Sequence, residues 1–324
     1  MTKRFRFSTA LLTTLAIVAC ETPTEAPADI EAPVFSLQDV GTPSLIADAG
    51  GDAGEFMAAV NAELAAQGLG MAISHAEWID GVGDTDALKT VFANDRTKLL
   101  GTQWVAGDAR RGATSNDLTQ GSFPFFQFAD GVATEPIIDA TFDTWNAVTC
   151  SNLTVNKVGL APGVFPSAVL SLPGFVNDPF AADVSTVGWL PGFLFDAVLG
   201  PGASASVLGV TFTFIFIDAD GNPSDIDGDG RTDTAIKEVW YNDDFTWTDT
   251  GAGGIDIESV ALHENGHALE AGHFGKLTAH FKKGGVRIQA SPRAVMNASY
   301  IGPVRSPLGT DKATMCGNYG NWGN

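Results

Sequence analysis

Positive charge is what this chain has least of. Only 18 Lys and Arg stand against 38 Asp and Glu in 324 residues, a formal net charge of −20. That balance argues against a nucleic-acid partner, because neutralising phosphates needs a basic footprint. Three cysteines are too few for a scaffold built on disulfides. Past the first twenty residues no apolar segment is long and unbroken enough to span a bilayer. No long internal repeat is present. What remains is 44% apolar side chains, too many for a disordered chain. The length suits one large domain or two smaller ones. Charged residues make up 17% and glycines number 37, which implies a loop-rich fold.

The first twenty residues read as an address. Lys3, Arg4 and Arg6 form a basic start, and a 13-residue apolar stretch runs from Phe7 to Ala19. A spanning helix needs about 20 residues, so residues 1–19 are expected to be a secretory signal. The stretch ends Ile17-Val18-Ala19-Cys20. This resembles the lipobox of bacterial lipoproteins, which implies cleavage before Cys20 and a lipid on its sulfur. An ordinary signal peptide with an incidental cysteine is the alternative. Residues 20–34, rich in Pro, Glu and Ala, have the composition of a flexible tether. The expected location is the bacterial cell envelope, as an outer-membrane lipoprotein or at the cell surface, otherwise secreted. The membrane would be reached only through acyl chains on Cys20. In that oxidising compartment Cys150 and Cys316 are expected to pair, with two buried thiols as the alternative.

Periodicity organises the mature chain. Residues 52–68 read as an amphipathic helix, with Phe56, Val60 and Leu64 at spacing four. A strand is expected over 71–79, and a polar, Gly-containing run places a soft boundary near residue 115. Residues 35–115 are thus an N-terminal region: a pro-region, an accessory module or part of the fold. Beyond it, strands are expected at 122–128, 152–160, 207–217 and 236–242, and a helix over 134–148. Residues 161–206, rich in Gly, Pro and Phe, give no assignment. Asp256 is suited to cap a helix that starts at Ile257.

That helix carries His263-Glu264-Asn265-Gly266-His267. Histidines at i and i+4 share one helical face and can reach one metal ion, and two neutral imidazoles suit Zn²⁺. Glu264 projects about 100° round the helix, where it can act on a water without becoming a ligand. His273 follows six residues after His267. It can be a third ligand only if the chain leaves the helix between them, and Gly272 offers a residue that turns at little cost.

The segment HENGHALEAGH matches the extended zinc motif of the metzincin metallopeptidases at every His and at the Glu. Val295-Met296-Asn297 resembles the family's Met-turn, in which a methionine lies beneath the metal. Within that family residues 116–324 look most like the bacterial matrixin-like branch, through segments 141–153, 210–218, 238–247 and 260–274. The resemblance implies an α/β (mixed α+β) zincin-like catalytic domain. Its parts would be a twisted mixed sheet, an active-site helix and a Met-turn, preceded by a small α/β N-terminal region. It implies that His263, His267 and His273 hold catalytic zinc, with Glu264 as general base and a protein or peptide as substrate. It also implies an edge strand along which the substrate lies, and 236–242 is the expected one. Tyr300 is expected to be a wall residue of the site, with an approach to the metal or the oxyanion as the alternative. The pro-segment cysteine that usually caps zinc in matrixins has no counterpart, since only Cys20 precedes the catalytic region. One position departs from the family: Glu270 stands where a glycine makes the turn. The expectation is that the helix runs on and turns near Gly272 instead.

The segment 218–233 holds Asp218, Asp220, Asp225, Asp227, Asp229 and Asp233. Oxygen-rich, Gly-containing loops suit Ca²⁺. The twelfth position from Asp225 is Ile236, so an EF-hand is not expected. A structural calcium site and a solvated acidic turn both remain open. The leading expectation is a zinc endopeptidase. The alternative is a non-catalytic zinc-binding surface protein, which would have no use for Glu264. Hydrolysis of a non-peptide amide or ester would share the same metal chemistry.

Overall fold

A computed structural model describes residues 53–81, 89–96, 98–112, 115–123, 132–282 and 285–323. The signal 1–19, Cys20 and the tether lie outside the described residues. The described residues all fall in one compact unit, Ala32–Asn324.

The chain enters through α1 (Ala53–Gln67), which buries Phe56, Val60 and Leu64. β1 (Met71–Asp80), β2 (Lys89–Asp95) and β3 (Thr102–Gln103) come after it. Next come β4 (Leu118–Ser122), α2 (Thr134–Asn146), β5 (Val155–Lys157), β6 (Val164–Phe165), β7 (Val176–Asn177) and β8 (Val184–Leu190). Two short helices, α3 (Gly192–Leu199) and α4 (Ala203–Ser206), lead into β9 (Val207–Phe216) and β10 (Thr232–Asn242). β11 (Trp247–Thr248) and β12 (Ile255–Asp256) precede α5 (Ile257–Ala268). β13 (Gly275–Lys282), β14 (Gly285–Ser291) and α6 (Gly309–Tyr319) complete the chain.

The fold is a mixed α/β arrangement around a seven-stranded sheet in the order β1-β9-β10-β8-β4-β5, with β3 also paired to β10. β1, β9 and β10 run antiparallel to their neighbours in turn. β10, β8, β4 and β5 pair in parallel. A second sheet has the order β14-β13-β2. Every residue of β8 and of β9 is buried. Burial on both faces removes the alternation that marks a half-exposed strand. That is why β8 could not be read from 161–206, whereas the β-branched and aromatic content of β9 was enough.

Helix α5 packs against α2 through two polar clamps. Trp145 Nε1 donates to the Leu262 carbonyl at 3.0 Å, and Asn265 Nδ2 donates to Thr141 Oγ1 at 2.6 Å. The helix starts at Asp256, whose carboxylate accepts from Ser259 N at 3.1 Å. Its end leaves carbonyls without helical partners. Trp104 Nε1 takes that of Ala268 at 2.9 Å and Tyr319 Oη that of Leu269 at 3.2 Å. Cys150 and Cys316 are joined, with Cα atoms 5.1 Å apart.

One expectation needs correcting. The segment 236–242 is not an edge: β10 lies between β9 and β8, because every residue from Asp233 to Asn242 is buried. Of the strand expected at 122–128, Ser122 is the last residue of β4 (Leu118–Ser122), and 124–128 lie outside the described residues. Of the readings left open for 35–115, strand pairing joins residues 71–103 to the downstream chain. β1 pairs with β9 along its whole length, β2 with β13 and β3 with β10.

Candidate active site

α5 sets His263 and His267 one turn apart, and the chain then turns back to bring His273 beside them. The three Nε2 atoms stand 3.0 Å (His263–His267), 3.1 Å (His267–His273) and 3.3 Å (His263–His273) apart. Their outer nitrogens explain the ring orientations. His263 Nδ1 lies 2.8 Å from the Val295 carbonyl and His267 Nδ1 lies 2.8 Å from the Ala271 carbonyl. A carbonyl can only accept, so each Nδ1 carries the proton and each Nε2 turns its lone pair inward. Burial, with the neighbouring His273 ring, pushes His263 down to about 3. Burial likewise lowers His267 far below the ordinary range and His273 to about 4. These groups are held neutral, with three inward-facing nitrogens that no donor among the described residues satisfies. Tetrahedral Zn²⁺ with Zn–N distances of about 2.0–2.1 Å requires nitrogens about 3.3 Å apart. The donor set therefore fits a divalent cation.

Glu264 stands beside the triad, fully buried. Its Oε2 accepts from Thr211 Oγ1 at 2.7 Å, while Oε1 has no hydrogen-bond partner of ordinary geometry among the described residues. Burial pushes its carboxyl well above the usual range, opposed by the Thr211 hydroxyl and the nearby Ile79 backbone amide. A buried carboxylate oxygen left unpaired is expensive, and beside three converging imidazoles it is suited to take a proton.

The turn carrying Met296 lies underneath. Val295 N and Met296 N donate to the Asp311 carboxylate at 2.9 and 3.2 Å, and Phe274 N donates to the Met296 carbonyl at 2.8 Å. Met296 presses on α5 at Gly266, where a Cβ would overlap its Sδ and come within 3.0 Å of Trp145 Cζ2. The Tyr300 hydroxyl accepts from Asp256 N at 3.1 Å.

The turn to His273 overturns a further expectation. α5 ends at Ala268, and Glu270, not Gly272, adopts the left-handed conformation, with φ 63°. A non-glycine residue there costs about 1–2 kcal/mol. Its side chain explains why it stays. The Glu270 carboxylate is fully buried and pairs with Lys237 Nζ at 3.1 Å, itself fully buried. It also accepts from Thr234 Oγ1 and Thr102 Oγ1, both at 2.5 Å. The backbone is pinned from outside: Leu100 N donates to the Glu270 carbonyl and Gly272 N to the Lys98 carbonyl, both at 3.0 Å. Spacing alone could flag Glu270 as odd but could not find Lys237, a partner 33 residues upstream on another strand.

The acidic loop divides. Asp225, Asp227 and Asp229 bring carboxylate oxygens within 4.8 Å of one another on the surface. Asp218 instead closes its own turn, accepting from the Asp220 and Asn222 amides at 2.9 and 2.8 Å. Asp220 is not drawn into the cluster. Asp233 is buried in an ion pair with Arg110 at 2.7 Å and accepts from Ser224 Oγ at 2.6 Å. The six aspartates therefore do not form one set.

No family model matches the chain. Over 72 residues it is 35% identical to matrix metalloproteinase-25 of Mus musculus, a match covering 22% of this chain and 9% of that protein. The chain thus spans about a tenth of that relative's length, and the likeness supports a metalloprotease-like relationship at most.

Proposed function

We propose that the protein is a zinc-dependent endopeptidase of matrixin-like, metzincin type. The observation that carries this reading is the convergence of three neutral Nε2 atoms beside an unpaired carboxylate oxygen of Glu264. His263, His267 and His273 would hold the metal, and when bound it would polarise a scissile carbonyl and acidify a water. The protein's own part is to keep three lone pairs inward through the Val295 and Ala271 carbonyls, and to hold Glu264 by Thr211. Glu264 would then take a proton from water at its free Oε1 and return it to the leaving amine. A purely structural metal site has no need of that base. Export and attachment through Cys20 belong to the same proposal on the sequence of residues 1–20. A structural Ca²⁺ belongs to it only at Asp225, Asp227 and Asp229.

The test is Glu264→Ala. Elemental analysis should find one zinc per chain in the native protein and in the variant alike, while turnover of a peptide library by the variant falls by at least 10³-fold. Zinc absent from the native protein, or activity surviving the substitution, would refute the assignment.

A further inference from the structure

Glu270 and Lys237 are an expensive way to build a turn. Glycine would adopt φ 63° without the left-handed penalty. Apolar side chains of like volume would serve stability as well as the buried ions, because desolvation consumes much of what such a pair gains. What the pair does is join elements. Lys237 stands directly opposite Thr213 in the β9–β10 ladder, and its Nζ donates to Thr213 Oγ1 at 2.8 Å. The same ammonium meets Glu270 Oε1 at 3.1 Å. Thr211 lies two residues along β9, on the same face, and donates to Glu264 Oε2 at 2.7 Å. Thr211, Thr213, Lys237 and Glu270 are all fully buried, so no solvent competes for these bonds. Glu270 in turn lies between two residues of the candidate metal centre. Its neighbour Ala271 offers the carbonyl 2.8 Å from His267 Nδ1, and His273 follows three residues after Glu270. Glu270 N and Ala271 N donate back to the His267 and Gly266 carbonyls, both at 2.9 Å. A swing of this turn would move one imidazole and take away the partner of another. One strand, β9, thus holds Glu264 through Thr211 and, through Thr213 and Lys237, the turn that serves His267 and His273.

We propose that Lys237 is a positioning residue of the metal centre: clamped between Thr213 and the Glu270 carboxylate, it fixes the turn that orients His267 and delivers His273, and registers both to the strand that holds Glu264. It touches neither metal nor substrate and acts through Glu270. A glycine at 270 would let the turn form in many ways, whereas the ion pair gives it one place. Groups that hold metal ligands from behind change metal affinity by about 10–100-fold when they are removed. A pair kept for stability alone can be exchanged for apolar residues without that effect. The inference rests on the zinc peptidase reading for the identity of the metal, though not for the geometry of the clamp.

The experiment uses the full chain and measures zinc affinity by competition with a chelating dye, beside urea unfolding of the metal-free protein. Glu270→Gly, Glu270→Gly with Lys237→Met, and Lys237→Met alone are compared with the native chain. Removing the stranded ammonium should return more than half of the stability that Glu270→Gly loses. The double variant should nevertheless bind zinc at least tenfold more weakly than the native protein. Lys237→Met alone should also lose at least tenfold, and it decides the outcome should the double variant lack a native circular-dichroism spectrum. Native zinc affinity in either folded variant, or affinity that recovers together with the unfolding midpoint, would overturn the proposal. Peptide-library turnover by the zinc-loaded native protein is read alongside. Turnover without any difference in zinc affinity would sink the clamp and spare the peptidase reading. No turnover, with the affinity difference intact, would sink the peptidase reading and spare the clamp.

Discussion

Replacing Glu270 by glycine restores the residue that the metzincin motif carries at this turn, and two physical effects then compete. Glycine removes the left-handed penalty of about 1–2 kcal/mol, less about 0.5–1 kcal/mol for its greater freedom in the unfolded chain. Against this, Lys237 keeps its place among buried side chains and loses its carboxylate partner 3.1 Å away. Breaking a buried pair from one side costs about 3–5 kcal/mol, because the remaining charge is uncompensated. Burial already pulls the Lys237 ammonium below its ordinary range, and Glu270 is the largest influence opposing that. The hydroxyls of Thr102 and Thr234 also lose their acceptor. The expected net loss is about 2–4 kcal/mol, read as a lower midpoint in urea unfolding of the metal-saturated protein. Adding Lys237→Met to Glu270→Gly removes the stranded charge and should recover more than half of the loss. A Glu270→Gly protein as stable as the native one, or more so, would show that backbone strain outweighs the ion pair and that the account of this turn is wrong.

Gly266→Ala should destabilise by about 1–3 kcal/mol through overpacking against Met296 and Trp145; unfolding midpoints check this, and a neutral result would mean that the turn at Met296 yields freely. Glu238 is buried and pushed up to about 7 by that burial, against the Ser167 hydroxyl, the Ala168 amide and the Trp240 indole. A raised carboxyl favours the folded state while protonated, so its contribution is full below about 4.5 and is lost as pH rises towards about 7. Glu238→Gln should flatten the fall in stability across that window, and an unchanged slope in pH-resolved denaturation would refute this.

What was legible in the sequence is what local pattern encodes. Helix α5 shows because Asp256 caps it and two histidines share its face, and β9 shows because its residues are β-branched and aromatic. The triad was legible as a spacing, with its turn misplaced. Gly272 looks like the better turn residue if only conformational freedom is counted, and the ion pair that makes Glu270 tenable is invisible along the chain. Edge and centre were also misassigned. A run such as IKEVWYN carries its strand propensity openly, but whether a strand is flanked on one side or two depends on partners far away in sequence. The acidic loop failed in the same way: Asp233 looks like its neighbours until Arg110, from the N-terminal region, claims it.

That region contributes to the site in two ways that pull against each other. β1 covers the edge of β9 and brings Glu77 Oε2 to 3.6 Å from His273 Nδ1. The segment 98–104 does the opposite. Lys98 and Leu100 hydrogen-bond either side of the turn at Glu270, Thr102 holds its carboxylate, and Trp104 closes the end of α5. All four act on the stretch that delivers His273. Loss of 35–115 would therefore uncover the edge of β9 and remove what positions the third histidine at the same time.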